Sequence, residues 1–185
     1  MDSPKDRLPS FGQNPGDDIR GEDPGDWHDI HNIHSCAFQS DGEAELVDLL
    51  RRQGNFRCSL IAQMGEARRT VGSVISTTVE VDGCESLCLE GIGPIGVLPA
   101  YQGRGVGSAL MIELRTLAYD RSVDALVLLG APSYYSRFGF VPGSTYGLRC
   151  KWTDGPAFQI LELRSGALGA ASGMVRYEPA FDALD

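Results

Sequence analysis

The chain has 185 residues, 42% apolar and 22% charged, which is enough hydrophobic material for one cored domain and too little length for two. Sixteen Lys and Arg against 25 Asp and Glu leave a net charge of −9, which argues against non-specific binding to nucleic acid or to an anionic membrane. No apolar stretch approaches the ~20 residues that span a bilayer, and Met1 to Asp6 carry no apolar signal core, so a soluble, cytoplasmic protein is expected.

Residues 1–18 hold three prolines, two glycines and four aspartates without apolar periodicity, and read as a disordered tail before a single domain over 19–185. A short strand at Ile19-Arg20 precedes Asp23-Pro24, a cap and first-turn proline for a helix to about Phe38. A second helix, Glu43 to Arg52, lines up Leu46, Leu49 and Leu50 on one face and stops at Gly54. Strands follow at Arg57–Met64, Thr70–Val81 and Ser86–Val97, with Asp82-Gly83 a hairpin signal, and together they predict an antiparallel meander. An amphipathic helix runs from the glycines near 105 to about Asp120, turning Leu110, Met111, Leu114 and Leu117 inward. Ala125–Leu129 is wholly apolar and suits a strand buried on both faces. Pro132–Phe138 predicts a short helix ending at Gly139, and strands at Phe158–Leu163 and Met174–Tyr177 close the sheet. The expected class is mixed α/β.

The cysteines, Cys36, Cys58, Cys84, Cys88 and Cys150, are odd in number and form no C-x-x-C pair, so free thiols are expected and not a disulfide framework. His28, His31 and His34 recur at steps of three, which on a helix fans them over roughly 120° and strains convergence on one metal. No metal is expected. No G-x-S-x-G elbow supports a serine nucleophile either.

The informative stretch runs from Ile92 to Ser108. A strand ends at Val97, Pro99 turns the chain, and Gly103, Gly105 and Gly107 open a helix. Residues without side chains let backbone N–H groups close on an anion, and the new helix adds its unpaired donors and positive dipole end. Gly91 to Gly96 matches G-x-G-x-x-G by letter, yet Val97-Leu98-Pro99 stands where a dinucleotide fold needs a helix. A Walker-type site lacks its lysine, the chain having only Lys5 and Lys151.

What remains, Gln102-Gly103-Arg104-Gly105-Val106-Gly107, has the form Q/R-x-x-G-x-G/A. Tyr135 stands four residues before Gly139-Phe140. These two features, in this order, resemble the Gcn5-related N-acetyltransferase (GNAT) superfamily over about residues 19–141, and the wording is most similar to its bacterial YhbS-like branch. The resemblance implies a mainly antiparallel sheet flanked by helices, with a splayed cofactor-binding strand. It implies acetyl-CoA as cosubstrate, with the backbone of Ile95, Gly96 and Val97 along the pantetheine and Gln102, Gly103, Arg104, Gly105, Val106, Gly107 and Ser108 around the pyrophosphate. Tyr135 matches the family's proton donor to the departing thiolate, the alternative being simple packing beside Phe138 and Phe140. Glu90 is the strand carboxylate nearest the family's base, one position out of register, with Glu85 and an ordered water as competitors. The asparagine common before the tyrosine is replaced by Gly130-Ala131-Pro132. An N-acetyltransferase acting on a primary amine is the leading expectation, a catalytically silent acyl-CoA-binding module the other. A homodimer is left open.

Overall fold

The computed structural model of the protein describes residues 11–13 and 16–184. β1 (Asp18–Gly21) leads through a 3-10 turn at Pro24–Asp26 into α1 (Trp27–Phe38), and α2 (Gly42–Gln53) follows. At the turn the Asp23 N–H donates to the Asp26 carboxylate (2.7 Å), which also takes two bonds from Arg20. α2 ends at Gly54, whose φ of 71° lets its N–H reach back to the carbonyls of Arg51 and Leu50. β2 (Cys58–Met64), β3 (Arg69–Val81) and β4 (Leu89–Val97) form the meander, and α3 (Val106–Asp120) crosses over to β5 (Ala125–Leu129), which lies parallel to β4. The remainder is α4 (Pro132–Tyr135), β6 (Val141–Pro142), β7 (Leu148–Cys150), β8 (Phe158–Glu162) and β9 (Gly173–Arg176), then a 3-10 segment at Pro179–Leu184.

The sheet runs β1-β2-β3-β4-β5-β8-β6, and only the β4–β5 pairing along that path is parallel. α3 covers one face with Leu110, Met111 and Leu114 against Val74, Leu126 and Leu128. Burying each such leucine contributes about 1.5–3 kcal/mol before conformational costs. α1 and α2 cover the other face, with Ile30, Leu46 and Leu50 against Ile61, Ile75 and Phe181. β5 is buried on both sides as its composition requires: Leu126 and Leu128 face α3, while Ala125 and Val127 enter a second cluster with Leu89 and Ile160.

Two details depart from the sequence expectation. β4 starts at Leu89 and not Ser86, because the preceding residues close turns, Cys84 N–H to Val81 O and Leu87 N–H to Cys84 O. β9 does not close the main sheet; it pairs with the end of β3 and with β7, a strand too short to be read from its composition. The described part of the expected tail is held against the domain. Phe11 N–H donates to Arg104 O (2.7 Å), and the Asp17 carboxylate accepts from the N–H groups of Gly12 and Gly65. Residues 1–10 of that tail lie outside the described residues. Among the described residues, no helix is long and apolar enough to cross a membrane, and no group of three metal-ligating side chains comes together.

Candidate active site

β4 creates the site by parting from its neighbour. It pairs with β5 only through Leu89, Glu90 and Gly91, opposite Ala125, Leu126 and Val127. Beyond Gly91 its only strand partner is β3, so its other edge turns backbone groups into the gap between the strands. The same stretch carries a bulge: Val74 faces Ile95 and Ser76 faces Ile92, three steps on β4 against two on β3. The extra residue falls around Gly93-Pro94, joined by a cis peptide bond. Pro94 has no N–H to give a ladder, and a bulge is where a strand tolerates that.

A cavity of about 860 Å³ opens at this splay. Its floor is the β4 segment Ile92–Ile95 with Val97, and its near rim is the loop into α3 with Gln102, Gly103 and Gly105. Gly103 and Gly105 have φ of 73° and 88°, a left-handed conformation that side chains disfavour, and a Cβ on either would meet open space. The first helical bond of α3 is Ala109 N–H to Gly105 O (2.9 Å), so the amides of Val106, Gly107 and Ser108 are left at the helix start as donors. The family resemblance implies ten cofactor contacts. Ile95, Val97, Gln102, Gly103, Gly105, Val106, Gly107 and Ser108 all line the cavity. Gly96 and Arg104 do not. The Cα of Gly96 is turned to His34 and Ile33, where a Cβ would stand 2.9 Å from His34 Nδ1. Arg104 folds back to donate to Ala100 O (2.6 Å) and lies over the Tyr101 ring. Gln102 ties the loop to the strand, its amide donating to Val97 O (3.0 Å).

α4 supplies the opposite rim, where both tyrosines line the cavity but differ in role. Tyr134 reaches the helix start, its hydroxyl 3.0 Å from a Cβ built on Gly107, and Arg137 stacks over its ring at 3.8 Å. Tyr135 lies at the end of β5, its ring so close to Gly130 that a Cβ there would sit 2.2 Å from Cε2. A side chain at Gly130 would therefore displace the Tyr135 ring. Burial pushes the Tyr135 phenol up to about 12, with Tyr134 adding to the effect. It stays protonated at neutral pH.

Glu90 is elsewhere. It shares a face of β4 with Ile92, the face toward α3, and lies on the paired side of the bulge, so the extra residue does not re-aim it. It is 1% exposed, accepts from Ser76 Oγ (2.7 Å) and holds both oxygens 2.9 Å from Arg121 Nη2 at the end of α3. It does not line the cavity. The residue facing the α1–α2 side is Gly91, and the Tyr177 ring occupies the space a side chain there would need. Glu85, the competitor, is exposed in the loop before β4.

The far end of the cavity was not legible in any motif. Ala37 and Phe38 from α1, Glu43 and Leu46 from α2, and Tyr177, Phe181 and Leu184 from the carboxy-terminal segment form it. Trp152, Tyr146 and Phe158 pack in or against the hydrophobic cores and do not line the cavity.

The chain is similar to known proteins. The sequence profile of the acetyltransferase (GNAT) domain matches residues 18–143. The N-acetyltransferase YhbS of Escherichia coli K12 is 36% identical over 165 residues, 89% of this chain and 98% of that protein. The crystal structure of E. coli YhbS in complex with CoA superposes with a TM-score of 0.85 at 35% identity, over 90% of this chain and 92% of that one. A GNAT acetyltransferase from Brucella melitensis, solved with acetyl-CoA, gives a TM-score of 0.74 at 32% identity over 90% and 98% of the two chains. Splayed strand, glycine cradle and α4 tyrosine thus occur in a chain that follows these relatives over 89–90% of its length, and the protein belongs to the GNAT family of N-acetyltransferases.

Proposed function

We propose that this chain binds acetyl-CoA across the splay and transfers the acetyl group to a primary amine, with Tyr135 as proton donor. The observation that carries the reading is the continuity of three features in one cavity: the unpaired β4 edge, the helix-start donors and the α4 tyrosine. CoA and acetyl-CoA in the YhbS and Brucella structures support the choice of ligand. The residues present suit it. Pantetheine amides need backbone partners, which the β4 edge from Ile92 to Val97 offers as an added strand would take them. A pyrophosphate needs converging N–H donors without intervening Cβ atoms, which Gly103, Gly105 and the first turn of α3 offer.

Acetyl-CoA supplies the activated acetyl thioester. The chain aligns it, and the backbone N–H groups at the splay polarise its carbonyl oxygen. The acceptor nitrogen must be neutral when it attacks, having given one proton to water, and neither Glu90 nor Glu85 lines the cavity to take that proton. As the C–N bond forms and the C–S bond breaks, the Tyr135 hydroxyl gives its proton to the sulfur. The phenolate left behind recovers a proton from the acylated nitrogen, directly or through water, so the protons balance. Burial keeps Tyr135 protonated until far above neutral pH, as a donor must be.

Tyr135→Phe removes only the hydroxyl. Turnover is expected to fall about 10²–10⁴-fold, the usual contribution of a general acid, with CoA affinity by calorimetry unchanged. Turnover equal to the parent, when chemistry limits the rate, removes Tyr135 from the mechanism. Tyr134→Phe is expected to weaken CoA binding instead, because its hydroxyl sits at the helix start.

A further inference from the structure

The two ends of the cavity differ in chemistry. The cofactor end carries glycines, helix-start donors and the one cation among the described lining residues, Arg137. The other end is built from Phe38, Leu46, Tyr177, Phe181 and Leu184, with a single carboxylate, Glu43. Leu46 and Phe181 are buried, and the aromatic wall is stiffened edge-to-face: Trp152 to Tyr177 at 5.1 Å and Tyr177 to Phe181 at 5.4 Å between ring centres. Tyr177 shows this end its ring and not its hydroxyl, which is buried. At the mouth, Phe38 and Leu184 are each 40% exposed, two of the few large apolar side chains that the fold leaves in water. Glu43 stands in the first turn of α2, and Ser40 Oγ donates to its Oε2 (2.9 Å).

We propose that this end is the acceptor subsite and that it selects a monoamine carried on an apolar carbon body. The inference rests on the acetyl-transfer reading above and adds the class of acceptor to it. One carboxylate answers one ammonium group, which Glu43 draws in from solvent before the nitrogen loses its proton. The wall answers carbon. A polyamine would press a second charge against Phe181 and Tyr177, and an amino sugar would bury hydroxyls with no partner there, each at a large desolvation cost. An alkyl or arylalkyl chain instead covers Phe38 and Leu184 and takes them out of water.

The test is a homologous series with the full chain and acetyl-CoA: ethylamine, butylamine and hexylamine, with phenethylamine, spermidine and glucosamine, scored by CoA release and by the mass of the amide. kcat/KM is expected to rise about three- to fourfold per added methylene until the wall is covered, as burial of each carbon implies. Spermidine and glucosamine are expected at least tenfold below hexylamine. Glu43→Gln should raise KM for hexylamine about tenfold with kcat and CoA affinity unchanged. Leu184→Ser, at an exposed position, should flatten the chain-length dependence. A flat series, or preference for spermidine or glucosamine, overturns the acceptor class and leaves acetyl transfer standing. Transfer to none of these amines while CoA still binds overturns both readings.

Discussion

At the scale of the residue, Glu90 shows how strand parity decides chemistry. It sits one position from where a base was expected, and in a strand one position is the other face. There it meets Arg121, with Arg57 Nε 4.0 Å away, in a nearly closed setting. Its work is to fasten the end of α3 to β4. Glu90→Gln leaves Arg121 facing a neutral amide, and a loss of about 2 kcal/mol is expected, below the full penalty of a buried pair because Arg121 is partly exposed. Urea denaturation should show that loss while turnover holds. A hundredfold fall in turnover at unchanged stability would instead return Glu90 to the chemistry.

At the scale of the element, the loop between β4 and α3 is a backbone device. Gly105 caps α3 with φ of 88°, and its missing side chain leaves open space at the position proposed for the pyrophosphate. Gly105→Asp imposes an unfavourable conformation and sets a carboxylate where donors are needed. CoA affinity is expected to fall more than tenfold, ~1.4 kcal/mol or more, in calorimetry on a folded variant. Unchanged affinity would overturn the cradle. The loop is braced from outside by Phe11, whose N–H holds Arg104 O, so the amino-terminal segment belongs mechanically to the cradle although it contributes no motif.

At the scale of the whole molecule, packing α1 against the splayed sheet encloses His34. It is fully buried, stacks near Phe38, and neither ring nitrogen has a hydrogen-bond partner among the described residues. Burial, reinforced by the charge of Arg51, pushes its pKa down to about 4. In the unfolded chain it returns to about 6.5. The folded value is the lower one, so its contribution is complete above pH 6.5 and is lost as pH falls toward 4, on the order of 3 kcal/mol. Between pH 7.5 and 4.5 the urea midpoint should fall further for the parent than for His34→Leu. Equal falls would show that His34 has no part in acid sensitivity.

The sequence by itself determined most element types, the amphipathic faces and the glycine-rich turn that lines one end of the cavity. Those rest on local rules: period 3.6 in α3, an unbroken apolar run in β5, and glycines where the backbone turns left-handed. The Tyr135 spacing was legible for the same reason, since α4 and Gly139 are neighbours in the chain. The tertiary structure alone decided which face Glu90 presents, because that depends on where the bulge falls and on Arg121 arriving from 31 residues away. It alone brought Phe38, Glu43 and Tyr177 to one wall, three residues from three segments that share no pattern. Strand parity, bulges and the return of a chain end are set by packing between distant segments, and only the folded chain brings those segments together.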